Sequence, residues 1–88
     1  MRLITWNCHR GPFETKSVLL DSLRPDIAVI QESGKPKLET ANTLWFGDNP
    51  RMGLSVQAHG PYELRALPQR EGVPRFLFPV EVRGPVRF

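Results

Sequence analysis

The spacing of apolar positions changes along the chain, and the changes mark the elements. Arg2-Leu-Ile-Thr-Trp-Asn7 is a short apolar run with β-branched and aromatic residues, which reads as a strand. Cys8 to Pro12 reads as a loop closed by Gly11-Pro12. From about Glu14 to Leu23 the spacing becomes helical, with Val18, Leu19 and Leu23 on one side and Lys16, Asp21 and Ser22 outside it. Arg24 precedes Pro25, and a residue before proline is pushed out of the helical region, so the helix should end there. Asp26-Ile-Ala-Val-Ile-Gln-Glu32 then reads as a second strand. Ile27 and Val29 point one way and Ala28 and Ile30 the other, which implies a strand covered on both faces. Strand, helix and strand in this order make a βαβ unit, expected to be right-handed with parallel strands.

The character changes at Ser33. Residues 33–37 form a polar loop with Gly34 and Pro36, and only strands and turns follow. Leu44-Trp-Phe46 and Leu54-Ser-Val-Gln-Ala58 flank a turn at Gly47-Asp-Asn-Pro50. Tyr62 to Ala66 alternates, as does Phe76 to Val82, where Pro79 argues for an edge position or a bulge. Arg83-Gly-Pro85 reads as a tight turn into a last strand, Val86 to Phe88. A return strand cut at Phe88 looks unfinished, so the natural domain is expected to continue, with a missing C-terminal half or a homo-oligomer completing the sheet. The fold class expected is α/β (α+β), an N-terminal βαβ unit followed by short antiparallel strands.

Composition narrows the setting. At 88 residues the chain holds one domain at most, with a marginal core. The single cysteine, Cys8, excludes an intrachain disulfide and suits a reducing, cytoplasmic location. No leader pattern follows Met1, and no apolar stretch is long enough for a membrane helix. The net charge of +3 arises wholly in the second half. There Arg51, Arg65, Arg70, Arg75, Arg83 and Arg87 stand against Glu63, Glu71 and Glu81 alone. Arginine suits bidentate contact with phosphate, although a solvated strand face is the commoner reason for such a pattern.

The chemistry-bearing pair is Asn7 and Glu32. In an open α/β sheet ligands bind beyond the carboxyl ends of parallel strands, and these residues end the two strands of the βαβ unit. Both offer hard oxygen atoms, which Mg²⁺ prefers. Alone, either is an ordinary strand-end or turn residue. Cys8-His9 has no second Cys/His pair, so it does not make a structural zinc site, and nothing beyond His9 supports Cys8 as a nucleophile.

Trp6-Asn7 after an apolar strand resembles the opening motif of the endonuclease/exonuclease/phosphatase superfamily. Leu23-Arg-Pro-Asp-Ile-Ala-Val-Ile-Gln-Glu32 resembles its second motif, and Arg51-Met-Gly-Leu-Ser-Val56 is similar to the strand that follows. The resemblance implies a four-layer α/β/β/α sandwich, of which residues 1–88 are an N-terminal portion. It implies Mg²⁺ (or Mn²⁺) bound at Glu32, with Asn7 orienting metal-bound groups or phosphate, and hydrolysis of phosphodiester or phosphomonoester bonds, nucleic acid among the substrates. Arg51 becomes a candidate phosphate contact. The family's Asp-x-Asn and Asp-His motifs are absent: Gly47-Asp48-Asn49 has the wrong spacing, and His59 has no adjacent Asp. The chain alone is therefore expected to be inactive. The alternative is a small non-catalytic α/β module that binds phosphate or nucleic acid through its arginines.

Overall fold

The computed structural model describes residues 1–9, 13–36, 42–68, 72 and 77–86. Two sheets and one helix account for their architecture. Strand β1 (Leu3–Asn7) leads into helix α1 (Phe13–Asp21) and returns as β2 (Ile27–Ser33). A hairpin follows, β3 (Thr43–Asn49) and β4 (Met52–Ala58), and then β5 (Glu63–Ala66) and β6 (Val80–Arg83). The first four strands form a mixed sheet in the order β1-β2-β4-β3, and β5 and β6 form a second, antiparallel one. The fold is thus α+β and mostly strand, with the parallel βαβ unit expected from the sequence: Leu3 pairs with Ile27, and Asn7 with Gln31.

Strand β2 is central because its apolar residues face both ways. On one side Ile27 joins Val56, Ala58, Tyr62, Leu64 and Val82, the core shared by the two sheets. On the other, Ala28 and Ile30 pack with Cys8 and Leu20, with Ile4 and Trp6 against them. The result is three layers: helix, four-stranded sheet, two-stranded sheet.

The helix differs from its expected pattern. Among the described side chains of this segment Leu20 is the buried one, whereas Val18, Leu19 and Leu23 are all more than half exposed. Leu20 packs with Cys8, Ala28 and Ile30 against the sheet. Leu19 and Leu23 instead flank a shallow apolar groove with Ile4 and Trp6. The helix stops where Pro25 requires. Ser22 donates to the Val18 carbonyl, Leu23 to that of Leu20, and Arg24 to that of Asp21. Arg24 then leaves the helical region for left-handed backbone, φ +48°. That conformation at a helix C-terminus favours glycine. Arg24→Gly is expected to stabilise the protein by about 1 kcal/mol, read as a higher urea midpoint. A lower midpoint would show that the arginine side chain outweighs the backbone cost.

The later strands also depart in detail. β3 runs through Gly47-Asp48-Asn49, which the sequence marks as a turn, and the turn falls at Pro50-Arg51 instead. β6 begins only at Val80, after Pro79, while Phe76 lies outside the described residues. Residues 84–86 are bends rather than a strand, and 87–88 lie outside the described residues. Among the described residues no helix is long and apolar enough to cross a membrane.

Candidate functional site

The pairing of Asn7 with Gln31 sets the carboxyl ends of β1 and β2 side by side, so Asn7 and Glu32 share one edge of the sheet. The chain beyond each strand is tied to the other. Cys8 donates its N–H to the Gln31 carbonyl at 3.1 Å, and its thiol to the Glu32 carbonyl at 3.2 Å. Cys8 is buried and in no disulfide, and these two hydrogen bonds anchor it here. Lower on the same strands the Gln31 side-chain amide donates to Thr5 Oγ1 at 2.8 Å.

Asn7 Oδ1 accepts the His9 N–H at 3.0 Å, which turns the chain sharply after β1. The turn leaves His9 in left-handed backbone, φ +57°, with Nδ1 3.8 Å from Glu32 Oε2. The amide nitrogen of Asn7 makes no hydrogen bond among the described residues, so it remains a donor toward this edge.

Glu32 is the unusual residue. Pairing between β2 and β4 matches Ile30 to Ser55 and then Ser33 to Gly53, so β2 carries one more residue than its partner. This is a β-bulge, and Glu32 within it has φ +52°. Bulges with a left-handed residue ordinarily use glycine there, because a Cβ crowds the following carbonyl. Glutamate in that position costs about 1 kcal/mol. Its effect is to break the alternation of β2 and re-aim one carboxylate. Strict alternation would put Glu32 on the face of Ala28 and Ile30, under the helix. In the bulge it is half-buried, faces His9, and lines a cleft toward the β3–β4 hairpin.

That cleft, of about 860 Å³, is walled by Trp45, Phe46, Met52, Leu54 and Phe78, with Asp48 and Asn49 along it. Trp45 lies against the hairpin backbone, donates its indole N–H to the Ser33 carbonyl at 3.1 Å, and carries Lys35 Nζ 5.6 Å from its ring centroid. Phe46 and Phe78 stack, ring centroids 4.7 Å apart and planes at 16°. Lys35 N–H donates to the Pro50 carbonyl at 2.7 Å, which brings the hairpin tip to the loop after Glu32. Arg51 is the next residue along that tip. It is exposed, with its N–H on Asn49 Oδ1 at 2.9 Å and no ion pair among the described residues.

The structure thus joins Asn7, Glu32 and the Arg51 tip along one edge. It keeps His59 apart, in the loop after β4, where its N–H donates to the Asp26 carbonyl at the opposite end of β2. Asp48 and Asn49 sit in β3 beside the cleft, not in a catalytic Asp-x-Asn arrangement. The sequence pattern missed Lys35, Trp45 and Phe78. A glycine two residues before Ser55, across from Trp45 on the paired strand, was the one local sign that a ring needed room there.

Among the described residues no group of three or more His, Cys, Asp and Glu side chains is close enough to hold a metal ion. The donors that meet at this edge are therefore few: the Glu32 carboxylate and the Asn7 amide, with Asp48 and Asn49 along the adjoining cleft. That fits a largely hydrated hard cation that also takes oxygen from a phosphate, and does not fit a closed protein cage. The fold and the edge together define a small α+β domain with a strained carboxylate at the carboxyl end of a parallel strand pair. No family model matches the chain, and no curated protein or solved structure matches it either.

Proposed function

We propose that the chain is the metal-bearing part of a divalent-metal-dependent phosphoesterase resembling the endonuclease/exonuclease/phosphatase superfamily, inactive by itself. The observation that supports this most is the bulge at Glu32: backbone strain is spent on aiming one carboxylate at the strand edge that holds Asn7. Glu32 would hold Mg²⁺ or Mn²⁺, and Asn7 would donate from its free amide nitrogen to a phosphate oxygen or a metal-bound water. Arg51, at the hairpin tip, would meet the charge of the phosphate. When bound, the metal polarises the phosphoryl oxygen, worth several kcal/mol in the transition state. Among the described residues no Asp-His pair lies at this edge to activate water, so turnover requires groups beyond those described.

Titration with Mn²⁺, followed by electron paramagnetic resonance, tests the reading. The expectation is one site with a dissociation constant on the order of millimolar, displaced by Mg²⁺, lost in Glu32→Gln and weakened in Asn7→Ala. Undiminished binding in Glu32→Gln removes the metal role. Hydrolysis of an activated phosphodiester by the chain itself, abolished in Glu32→Gln, would overturn the claim that it is inactive alone.

The exposure of Arg51 and Arg65, neither ion-paired among the described residues, favours the non-catalytic module as the second reading. That reading requires nucleic-acid affinity that is indifferent to base pairing, falls steeply with salt, and drops in Arg65→Ala.

A further inference from the structure

We propose that β1 is a docking edge for a second copy of this chain. Two β1 strands pair antiparallel about a two-fold axis through Thr5 and join two four-stranded sheets into one. This interface does not depend on a metal at Glu32.

β1 ends the four-stranded sheet, and among the described residues no strand pairs with its outer side. Exposed strand edges invite pairing, and proteins blunt them with bulges, charges, proline and short length. The other strand edges of the two described sheets carry such devices. β3 is bulged between Phe46 and Asn49 and bears Asp48. β5 has only four residues, with Glu63 and Arg65 exposed. β6 has four as well, follows Pro79, and holds Glu81 and Arg83. β1 has no such device. Its register with β2 runs unbroken from Leu3–Ile27 to Asn7–Gln31, and Leu3-Ile-Thr-Trp-Asn7 contains no charge and no proline. Apolar surface gathers beside it. Among the described residues eight large apolar residues stay exposed, and five of them are Met1, Leu3, Val18, Leu19 and Leu23. The groove lined by Ile4, Thr5, Trp6, Leu19, Leu20 and Leu23 includes no residue of β2, so it opens at the outer edge of β1.

The backbone and side chains of β1 select a second β1 as the occupant. The Arg2 carbonyl and the Cys8 N–H both bond toward β2, so by alternation the N–H and C=O groups of Leu3, Thr5 and Asn7 face outward. In an antiparallel pair centred on Thr5, Leu3 meets Asn7 of the other copy and Thr5 meets its own image. Every outward group of the strand then finds a partner. A two-fold interface requires such self-complementarity. A shift of one residue sets outward groups against inward ones and forfeits these bonds. The same register places Ile4 opposite Trp6 of the other copy, twice, in the closer, non-hydrogen-bonded pairs. Ile4 and Trp6 lie on the helix side, against the cluster around Leu20. Aromatic against β-branched and threonine against threonine are favourable cross-strand pairs, and no like charges meet between Leu3 and Asn7. Leu19 and Leu23 line the groove with Ile4 and Trp6, so they lose water together with them when the edge is covered.

Sedimentation velocity of the chain, in EDTA and reductant so that neither metal nor Cys8 bridges copies, should show a monomer–dimer equilibrium with a dissociation constant on the order of 10 μM. Thr5→Lys sets like charges face to face on the axis and should weaken the dimer at least roughly tenfold. Leu19→Glu, at a position already exposed in the single chain, should weaken it roughly tenfold as well. Circular dichroism verifies that both variants fold. Amide exchange followed by nuclear magnetic resonance reads the register: with rising concentration the N–H groups of Leu3, Thr5 and Asn7 should become protected. A chain that stays monomeric to about 1 mM, with those amides exchanging freely, overturns the proposal and leaves the edge to a different protein. A monomer in which they are already protected overturns it in favour of a segment of the same chain. A dimer that survives both substitutions, or that leaves those three amides unprotected, places the interface elsewhere and overturns it too.

Discussion

Gly53→Ala is expected to destabilise the protein by about 3 kcal/mol, with the urea midpoint falling by roughly 2–3 M. A methyl group at position 53 would run into the Trp45 ring and would stand 2.6 Å from the Phe46 carbonyl oxygen. Neither neighbour moves cheaply. Trp45 is held by its indole hydrogen bond to the Ser33 carbonyl and lies under Lys35. The Phe46 carbonyl belongs to the strand paired with β4, in the register Phe46 to Leu54. A chain of this length has a total stability on the order of 4–13 kcal/mol, so the loss is a large share of it. Trp45→Ala in the same chain should lessen the cost of the added methyl, because only the backbone clash then remains. The double variant should therefore be more stable than the sum of the single effects by about 1 kcal/mol or more. A fall of less than about 1 kcal/mol for Gly53→Ala alone would show that the hairpin opens without strain. Gly53 also pairs with Ser33, directly after the bulge, so the substitution should disturb the aim of Glu32 as well as the core.

Why some of this was legible and some was not follows from the range of the forces involved. The apolar residues on both sides of β2 stated that it is covered on both faces, and the two separate core clusters bear this out. Arg24-Pro25 fixed the end of α1 through a local steric rule. The neighbouring placement of Asn7 and Glu32 followed from crossover topology, which needs only two strands and a helix between them. The helix surface was misread because tertiary packing, not spacing alone, sets which side of a helix meets a sheet: among the described residues Leu20 is buried, and the stripe of Val18, Leu19 and Leu23 is exposed. The segment Gly47-Asp48-Asn49 carries turn residues, but pairing with β4 slips by one residue between Phe46 and Asn49 and absorbs them into a bulge. The Phe46–Phe78 stack joins residues with no local relation, so no pattern along the chain announces it. The left-handed backbone of Glu32 was equally hidden. It arises from a mismatch of one residue between β2 and β4, and a mismatch belongs to the pair of strands rather than to either one.

That mismatch yields the second large effect. Glu32→Gly should abolish the Mn²⁺ site while leaving the fold as stable as before, or up to about 1 kcal/mol more stable. Two opposing quantities decide the stability. Glycine relieves the crowding that a side chain suffers at φ +52°, about 1–2 kcal/mol. It also adds freedom to the unfolded chain, a loss of about 0.5–1 kcal/mol. Glu32→Ala removes the carboxylate too but keeps the Cβ and its crowding, so it should be less stable than Glu32→Gly by about 1 kcal/mol. The carboxylate's contact with His9 adds little on either side of the comparison, since His9 is exposed and 3.8 Å away. Both variants should lose Mn²⁺ binding equally, because both lose the Glu32 carboxylate. The pair of measurements thus separates two roles of one residue: the backbone at position 32 favours glycine, and only the carboxylate opposes it. If Glu32→Gly proves markedly less stable than Glu32→Ala, the left-handed bulge is wrong. If Mn²⁺ binding survives both substitutions, the strain at Glu32 has no connection to a metal.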